Sequence, residues 1–154
     1  MKLLVALVLA LSAPFALNAS QDTFDTETFA VNYFKAWSAT QSPEAKAEDI
    51  ERYLALLADD VGHQHLPYDP NAERDPQGKN KMREGMTYYL GSHMEYKSSL
   101  TGQLLGYNVV VIKYKTYVKG KHPQTGEMIE KSSETVEVLE LENGKVSVIR
   151  KYSE

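Results

Sequence analysis

The residue types best suited to chemistry cluster in the stretch ADDVGHQHLPYDP, Ala58 to Pro70, which holds two of the four histidines. His63 and His65 are two positions apart, so an extended segment from Val61 to Leu66 sends both imidazoles out of one face. With an ordinary pKa of about 6.5, an imidazole exchanges a proton near neutral pH, which makes His65 a candidate general base. Two histidines with one carboxylate, here Asp60 or Asp69, also form a metal-ligand set. The same pattern is frequent on strands that hold no metal, and no metal or cofactor is expected here.

The remaining candidates are aromatic or acidic. Tyr33, Trp37, Tyr53, Tyr68, Tyr88, Tyr89, Tyr96 and Tyr114 could wall a cavity suited to a flat, apolar small molecule. Each taken singly is read more simply as core, where a buried tyrosine needs one partner for its hydroxyl. Glu137 shares a strand face with Thr135, Leu139 and Leu141, so alternation points it inward; the simpler reading of a glutamate is that a bulge or twist turns it to solvent. Buried, it needs a partner such as Arg150 or a tyrosine.

These residues must be positioned by elements legible in the periodicity. Phe24, Phe29, Ala30, Tyr33, Phe34 and Trp37 recur at helical spacing, with Asp25 as N-cap and Phe24 set to pack on Phe29. Ser42-Pro43-Glu44 predicts the start of a second helix, buried through Ile50, Tyr53, Leu54 and Leu57 and ending near Asp59. After the short strand, Leu66 to Gly78 reads as a loop rich in Pro, Asn and Asp. A third helix runs from about Lys79 to Leu90, with Met82, Met86, Tyr89 and Leu90 on one face and Gly91 to end it.

From Ser92 onward the period changes to two. Met94, Tyr96, Ser98 and Leu100 share a face of one strand; Val110, Ile112, Tyr114, Thr116 and Val118 share a face of the next. Lys121 to Glu127 connects to a strand from Met128 to Leu141, and Glu142-Asn143-Gly144-Lys145 turns into a last strand through Tyr152. The class is α+β, with three N-terminal helices covering one face of a curved antiparallel sheet. Such a cone leaves a concavity where ligands bind.

Ahead of this lies a leader. Met1-Lys2 is followed by the apolar run Leu3 to Leu11 and ends in LNA, which predicts cleavage after Ala19 and a periplasmic or extracellular protein. The run is too short for a membrane span, which takes roughly 20 residues, and no membrane association is expected after cleavage. Residues 20–154, about 135 residues, suit one domain. The chain has no cysteine and carries 17 Lys and Arg against 21 Asp and Glu; loss of Lys2 with the leader makes it slightly more acidic. That balance, with no basic arm, argues against nucleic-acid binding.

The wording FAVNYFKAW, LALLADDV, GKNKMREGM and LENGKVSVIRKY, in this order from about Phe24 to Tyr152, resembles the SnoaL-like branch of the nuclear transport factor 2-like (NTF2-like) superfamily. Ketosteroid isomerase is a member, and its pocket uses a helix-one tyrosine, an aspartate base after helix two and a protonated aspartate on a late strand. Laid on this chain, those positions fall on Tyr33, on His65 and near Glu137. The resemblance implies a conical cavity for a small apolar or aromatic molecule, with isomerase-, cyclase- or hydrolase-type acid–base chemistry by His65, Tyr33 and Glu137. Trp37, His63, Tyr68, Tyr89, Tyr96 and Tyr114 are then the expected ligand-binding residues.

The competing reading is a non-catalytic interaction module of the same fold. The sheet face away from the helices carries Val109, Val111, Tyr117, Val136 and Val138, which predicts a homodimer through the sheet. A monomer in sedimentation at micromolar concentration contradicts that expectation.

Overall fold

The computed structural model describes residues 24–154. The expected leader and cleavage site lie outside the described residues. Helix α1 spans Thr26–Thr40. The Asp25 carboxylate accepts the Thr28 N–H at 3.0 Å, and Phe24 packs on Phe29 with ring centroids 5.2 Å apart. Cap and staple thus fix the chain's entry as their spacing predicts. One face of α1 buries Phe29, Ala30 and Tyr33.

Helix α2 is shorter than its sequence pattern suggests, Ala47–Leu54. Ser42-Pro43-Glu44 forms a turn instead of a first helical turn. The Ser42 hydroxyl accepts the Glu44 N–H at 3.2 Å, and the N-terminal cap falls to Asp49, whose carboxylate accepts the Lys46 N–H at 2.8 Å. At the other end the helix yields to strand β1, Leu57–Leu66. Leu57 to Asp59, which read as the close of the helix, is therefore strand. Backbone pairing with the C-terminal strand wins over local helical periodicity, which is a weak prior against tertiary contacts.

Helix α3 covers Gly78–Tyr89, followed by β2 His93–Leu105, β3 Val109–Lys121, β4 Met128–Glu142 and β5 Lys145–Ser153. The five strands form one sheet in the order β1-β5-β4-β3-β2. All neighbours are antiparallel except β1 and β5, which run parallel, so the sheet is mixed. The β4–β5 hairpin turns at Asn143 and Gly144, both at positive φ (51° and 74°), the geometry an Asn-Gly pair supplies.

The core lies between the helices and the inward sheet face, where Tyr33, Ile50, Leu54, Leu57, Ile112, Tyr114, Leu139 and Ile149 are fully buried. On β4 the alternation holds, and Thr135, Glu137, Leu139 and Leu141 are all buried. Four bulges modify the others, one in β1 between Leu57 and Gly62, one near Met94 in β2, another in β2 between Leu100 and Gly102, and one in β5 beside Glu140/Leu141. The second changes a predicted face. Met94 is squeezed out to 57% exposure, and His93 takes the inward position in its place.

Between β1 and α3, the segment 67–77 folds back along β1. His65 and Asp69 exchange backbone hydrogen bonds at 2.8 and 2.7 Å, and the Asp75 N–H donates to the Asp60 carbonyl at 3.1 Å. Close backbone approach is allowed at both ends by glycine: a Cβ on Gly62 would lie 2.4 Å from the Ala72 carbonyl oxygen, and one on Gly78 2.1 Å from that of Val61. This loop forms one wall of the cone's mouth.

Candidate ligand-binding site

The concave side holds two chambers. The larger, about 540 Å³, lies between β1, the 69–75 loop and α3, and its lining includes His63, His65, Met82, Met86 and Tyr89. A smaller chamber of about 240 Å³ is lined by Trp37, Tyr68, Tyr96 and Tyr114, with Lys151 and His65. Gln41, His65 and His93 belong to both linings, so the chambers adjoin there.

Strand β1 carries His63 and His65 on one face as their spacing requires, with ring centroids 6.0 Å apart. The Tyr68 ring meets His65 edge-on at 5.3 Å, held by the turn that bonds Tyr68 N–H to the His65 carbonyl at 2.8 Å. His65 is half-buried and loses part of its hydration. Burial, with the positive charge of Lys151 and neighbouring His63 as smaller causes, pushes its pKa down to about 4. Burial likewise lowers that of His63. Both imidazoles are therefore neutral at neutral pH, each with one donor and one acceptor nitrogen to offer.

The sign of the resulting pH effect is fixed. In the unfolded chain the two histidines regain ordinary pKa values near 6.5 and take up protons that the folded state refuses. Their contribution to stability is complete above about pH 6.5 and declines as the pH falls; that of His65 stops changing below about pH 4, where the folded imidazole also protonates. Replacing both with Gln is expected to flatten the loss of stability across that window. Urea midpoints at the two ends of the window, wild type against the double variant, check this; equal slopes would contradict it.

Below the chambers lies a buried polar cluster. Glu137 on β4 is only 2% exposed. Its carboxylate accepts the Tyr114 hydroxyl at 2.6 Å and the Tyr33 hydroxyl at 3.1 Å, and the Tyr33 hydroxyl meets that of Tyr53 at 2.9 Å. Lys151 Nζ lies 3.7 Å from the same carboxylate and 4.8 Å from the centre of the Trp37 ring. Burial, reinforced by the Glu137 charge, raises the phenol pKa values of Tyr33, Tyr53 and Tyr114 well above ordinary, so all three remain hydroxyl donors.

The structure thus joins two of the three residues expected to do acid–base work, Tyr33 and Glu137, by a direct hydrogen bond. Neither lines a chamber, and among the described residues no hydrogen bond links the His65 side chain to either. Glu137 reaches the chamber wall through Tyr114 and Lys151. All six expected ligand-binding residues line a chamber: Trp37, Tyr68, Tyr96 and Tyr114 the smaller, His63 and Tyr89 the larger. Tyr53 is core and Tyr88 lies in neither lining.

Three wall residues escaped the sequence reading. Lys151 opposes Glu137 because the β5 bulge shifts the register by one; an unbulged hairpin from the Glu142–Lys145 turn would have put Arg150 there. Arg150 instead opposes Val138 and bonds Glu140 at 2.9 Å. His93 enters through the β2 bulge, its Nδ1 2.7 Å from the Gln41 carbonyl oxygen and its ring stacked on Tyr96 at 6.0 Å. Gln41 follows α1 as its C-cap. A strong cross-strand charge complement of Glu137 with two adjacent basic residues, Arg150 and Lys151, was the available signal. Among the described residues no cluster of three metal-ligating side chains forms around His63 and His65.

No protein-family model and no curated protein sequence matches the chain significantly. Solved structures do resemble it. A protein assigned as a SnoaL-like polyketide cyclase from Shewanella putrefaciens CN-32 superposes with a TM-score of 0.61 at 15% identity, covering 96% of this chain and 92% of that one. An LEH-like epoxide hydrolase of M. tuberculosis gives 0.60 at 14% identity over 84% and 86%. A ketosteroid isomerase-like protein from Erwinia carotovora atroseptica SCRI1043 gives 0.56 at 13% identity over 87% and 97%. At such identities the likeness speaks for architecture, and function lives in the site. Three helices on a five-stranded, mostly antiparallel cone, with matches spanning most of each chain, give this protein the NTF2-like fold.

Proposed function

We propose that this protein binds a small, largely apolar or aromatic molecule in the two-chambered cone, with His65 as the polar contact at the junction. The observation that carries the reading is the position of His65, a neutral imidazole shared by both chamber walls. A molecule spanning the chambers lays its flat face against Trp37, Tyr96 and Tyr114 and meets His65 where an oxygen substituent sits. Concave, mostly apolar walls with a few convergent polar groups are what small-molecule sites require.

The same arrangement supports acid–base chemistry of the isomerase, cyclase or hydrolase kind. A neutral His65 accepts a proton from a ligand O–H, an acidic C–H or a water without first losing one of its own. Its low pKa makes it a weak base, so it favours substrates whose proton is already acidic. Tyr33 and Glu137 act here as positioning residues: they hold Tyr114 and Lys151 at the wall and do not touch the ligand.

The test is calorimetric titration with 2-naphthol, a flat apolar molecule with one hydroxyl. The expected result is saturable binding at one site. His65→Leu, which removes one neutral hydrogen bond of about 1 kcal/mol, should weaken it by roughly threefold to tenfold. Absence of binding by 2-naphthol and by the charged and neutral probes described below would overturn the reading in favour of an interaction module.

A further inference from the structure

We infer that the smaller chamber is built for an anionic oxygen, so that the ligand is a planar, conjugated molecule carrying a carboxylate. This deepens the ligand-binding reading and rests on it. The first observation is the charge of the wall: among the described residues the chamber lining contains Lys131 and Lys151 and no Asp or Glu. The larger chamber is the opposite, with Asp69, Glu73 and Asp75 in its wall against Lys81, which is already paired with Asp75.

The second observation is the state of Lys151. Its side chain is only 16% exposed, yet its ammonium makes no hydrogen bond among the described residues. Its carboxylate neighbour, Glu137, stands at 3.7 Å, beyond hydrogen-bond reach, and receives the Tyr114 and Tyr33 hydroxyls instead. The Trp37 ring face, 4.8 Å away, stabilises the charge without accepting a directed N–H bond from it. An ammonium has three donors, and the Lys151 nitrogen, which is not fully buried, opens to the chamber with those donors free. A ligand carboxylate in the adjoining chamber supplies the acceptor.

The third is the aromatic setting. Trp37 and Tyr114 have ring centroids 4.8 Å apart, with Tyr96 edge-on to Trp37 at 6.4 Å. This corner beside the lysine suits a flat conjugated ring. Lys131, exposed on β4 and without an ion-pair partner among the described residues, lies at the rim, where a second positive charge favours entry of an anion.

The experiment compares two probes of nearly equal shape, 2-naphthoate and the neutral 2-naphthamide, by calorimetry and by emission of Trp37, the only tryptophan in the chain. A charge-assisted hydrogen bond in a partly buried site should favour the carboxylate by about tenfold or more. Lys151→Met should abolish the preference and Lys151→Arg should retain most of it. Because Lys151→Met alone leaves Glu137 without its cation, the double variant Lys151→Met with Glu137→Gln, which removes both charges, must show the same loss. Binding of 2-naphthamide as tightly as 2-naphthoate, or a preference that survives in the double variant, overturns the inference and leaves the ligand-binding reading standing. Binding of 2-naphthol but of neither of these probes overturns the inference alone; binding of none of the three overturns both.

Discussion

Glu137→Ala is expected to lower the unfolding free energy by about 3–5 kcal/mol, the range found when one member of a buried, hydrogen-bonded charge cluster is removed. The reason lies in what remains. The Tyr114 and Tyr33 hydroxyls lose their shared acceptor, and Lys151 loses its one carboxylate neighbour. Tyr33 retains the Tyr53 hydroxyl as a partner, and Lys151 has room to move toward the chamber, which keeps the loss from being larger. Glu137→Gln preserves shape and one acceptor oxygen and should cost less, about 1–3 kcal/mol. Denaturant unfolding of the three proteins, with constant slope, checks the ranking. An alanine variant within about 1 kcal/mol of wild type would show that the cluster is not a stabilising anchor of the cone.

Gly78→Ala is the second large effect, and its cause is steric. The added Cβ would fall 2.1 Å from the Val61 carbonyl oxygen, a backbone atom that cannot rotate away. Either α3 or β1 must shift, at an expected cost of about 3 kcal/mol, the upper part of the range for overpacking. Gly62→Ala, with its Cβ 2.4 Å from the Ala72 carbonyl, should act in the same direction. Gly85 in α3 is the control. A Cβ there meets nothing within 4 Å, and helix propensity alone should make Gly85→Ala stabilising by about 0.5–1 kcal/mol. Thermal and urea unfolding of the set checks the opposite signs. Because β1 carries His65 at the junction of the chambers, displacing it in the Gly78 and Gly62 variants should also weaken 2-naphthol binding.

Much of this architecture was legible because local rules and tertiary structure agree. Asp25 and Phe24 mark the start of α1 by spacing alone, Asn143-Gly144 dictates the last hairpin, and alternation turns Glu137 inward. The failures share a physical origin. Periodicity says nothing about which strand an element will pair with, so the parallel union of β1 with β5 was invisible and Leu57 to Asp59 passed for helix. Bulges reset the faces of strands without leaving a reliable local signature. The one in β2 exchanged Met94 for His93, and the one in β5 exchanged Arg150 for Lys151 opposite Glu137.

For the site the same distinction holds. Aromatic wall residues could be named because several lie on predicted inward faces. The separation of His65 from the Tyr33–Glu137 pair could not, since it depends on how far β1 and β4 stand apart with β5 between them. The result is a neutral histidine at the junction of the chambers and, apart from it, a buried acid bonded to Tyr114 and next to Lys151.

The central claim, that the cone is a binding cavity and not a packed core, is tested most directly by a crystal structure of the protein with 2-naphthol. The ring is expected in the smaller chamber against Trp37 and Tyr96, with the hydroxyl within hydrogen-bond distance of a His65 nitrogen. A chamber closed by Trp37 and Tyr96, with the probe absent or seated on the outer face of the sheet, would contradict it.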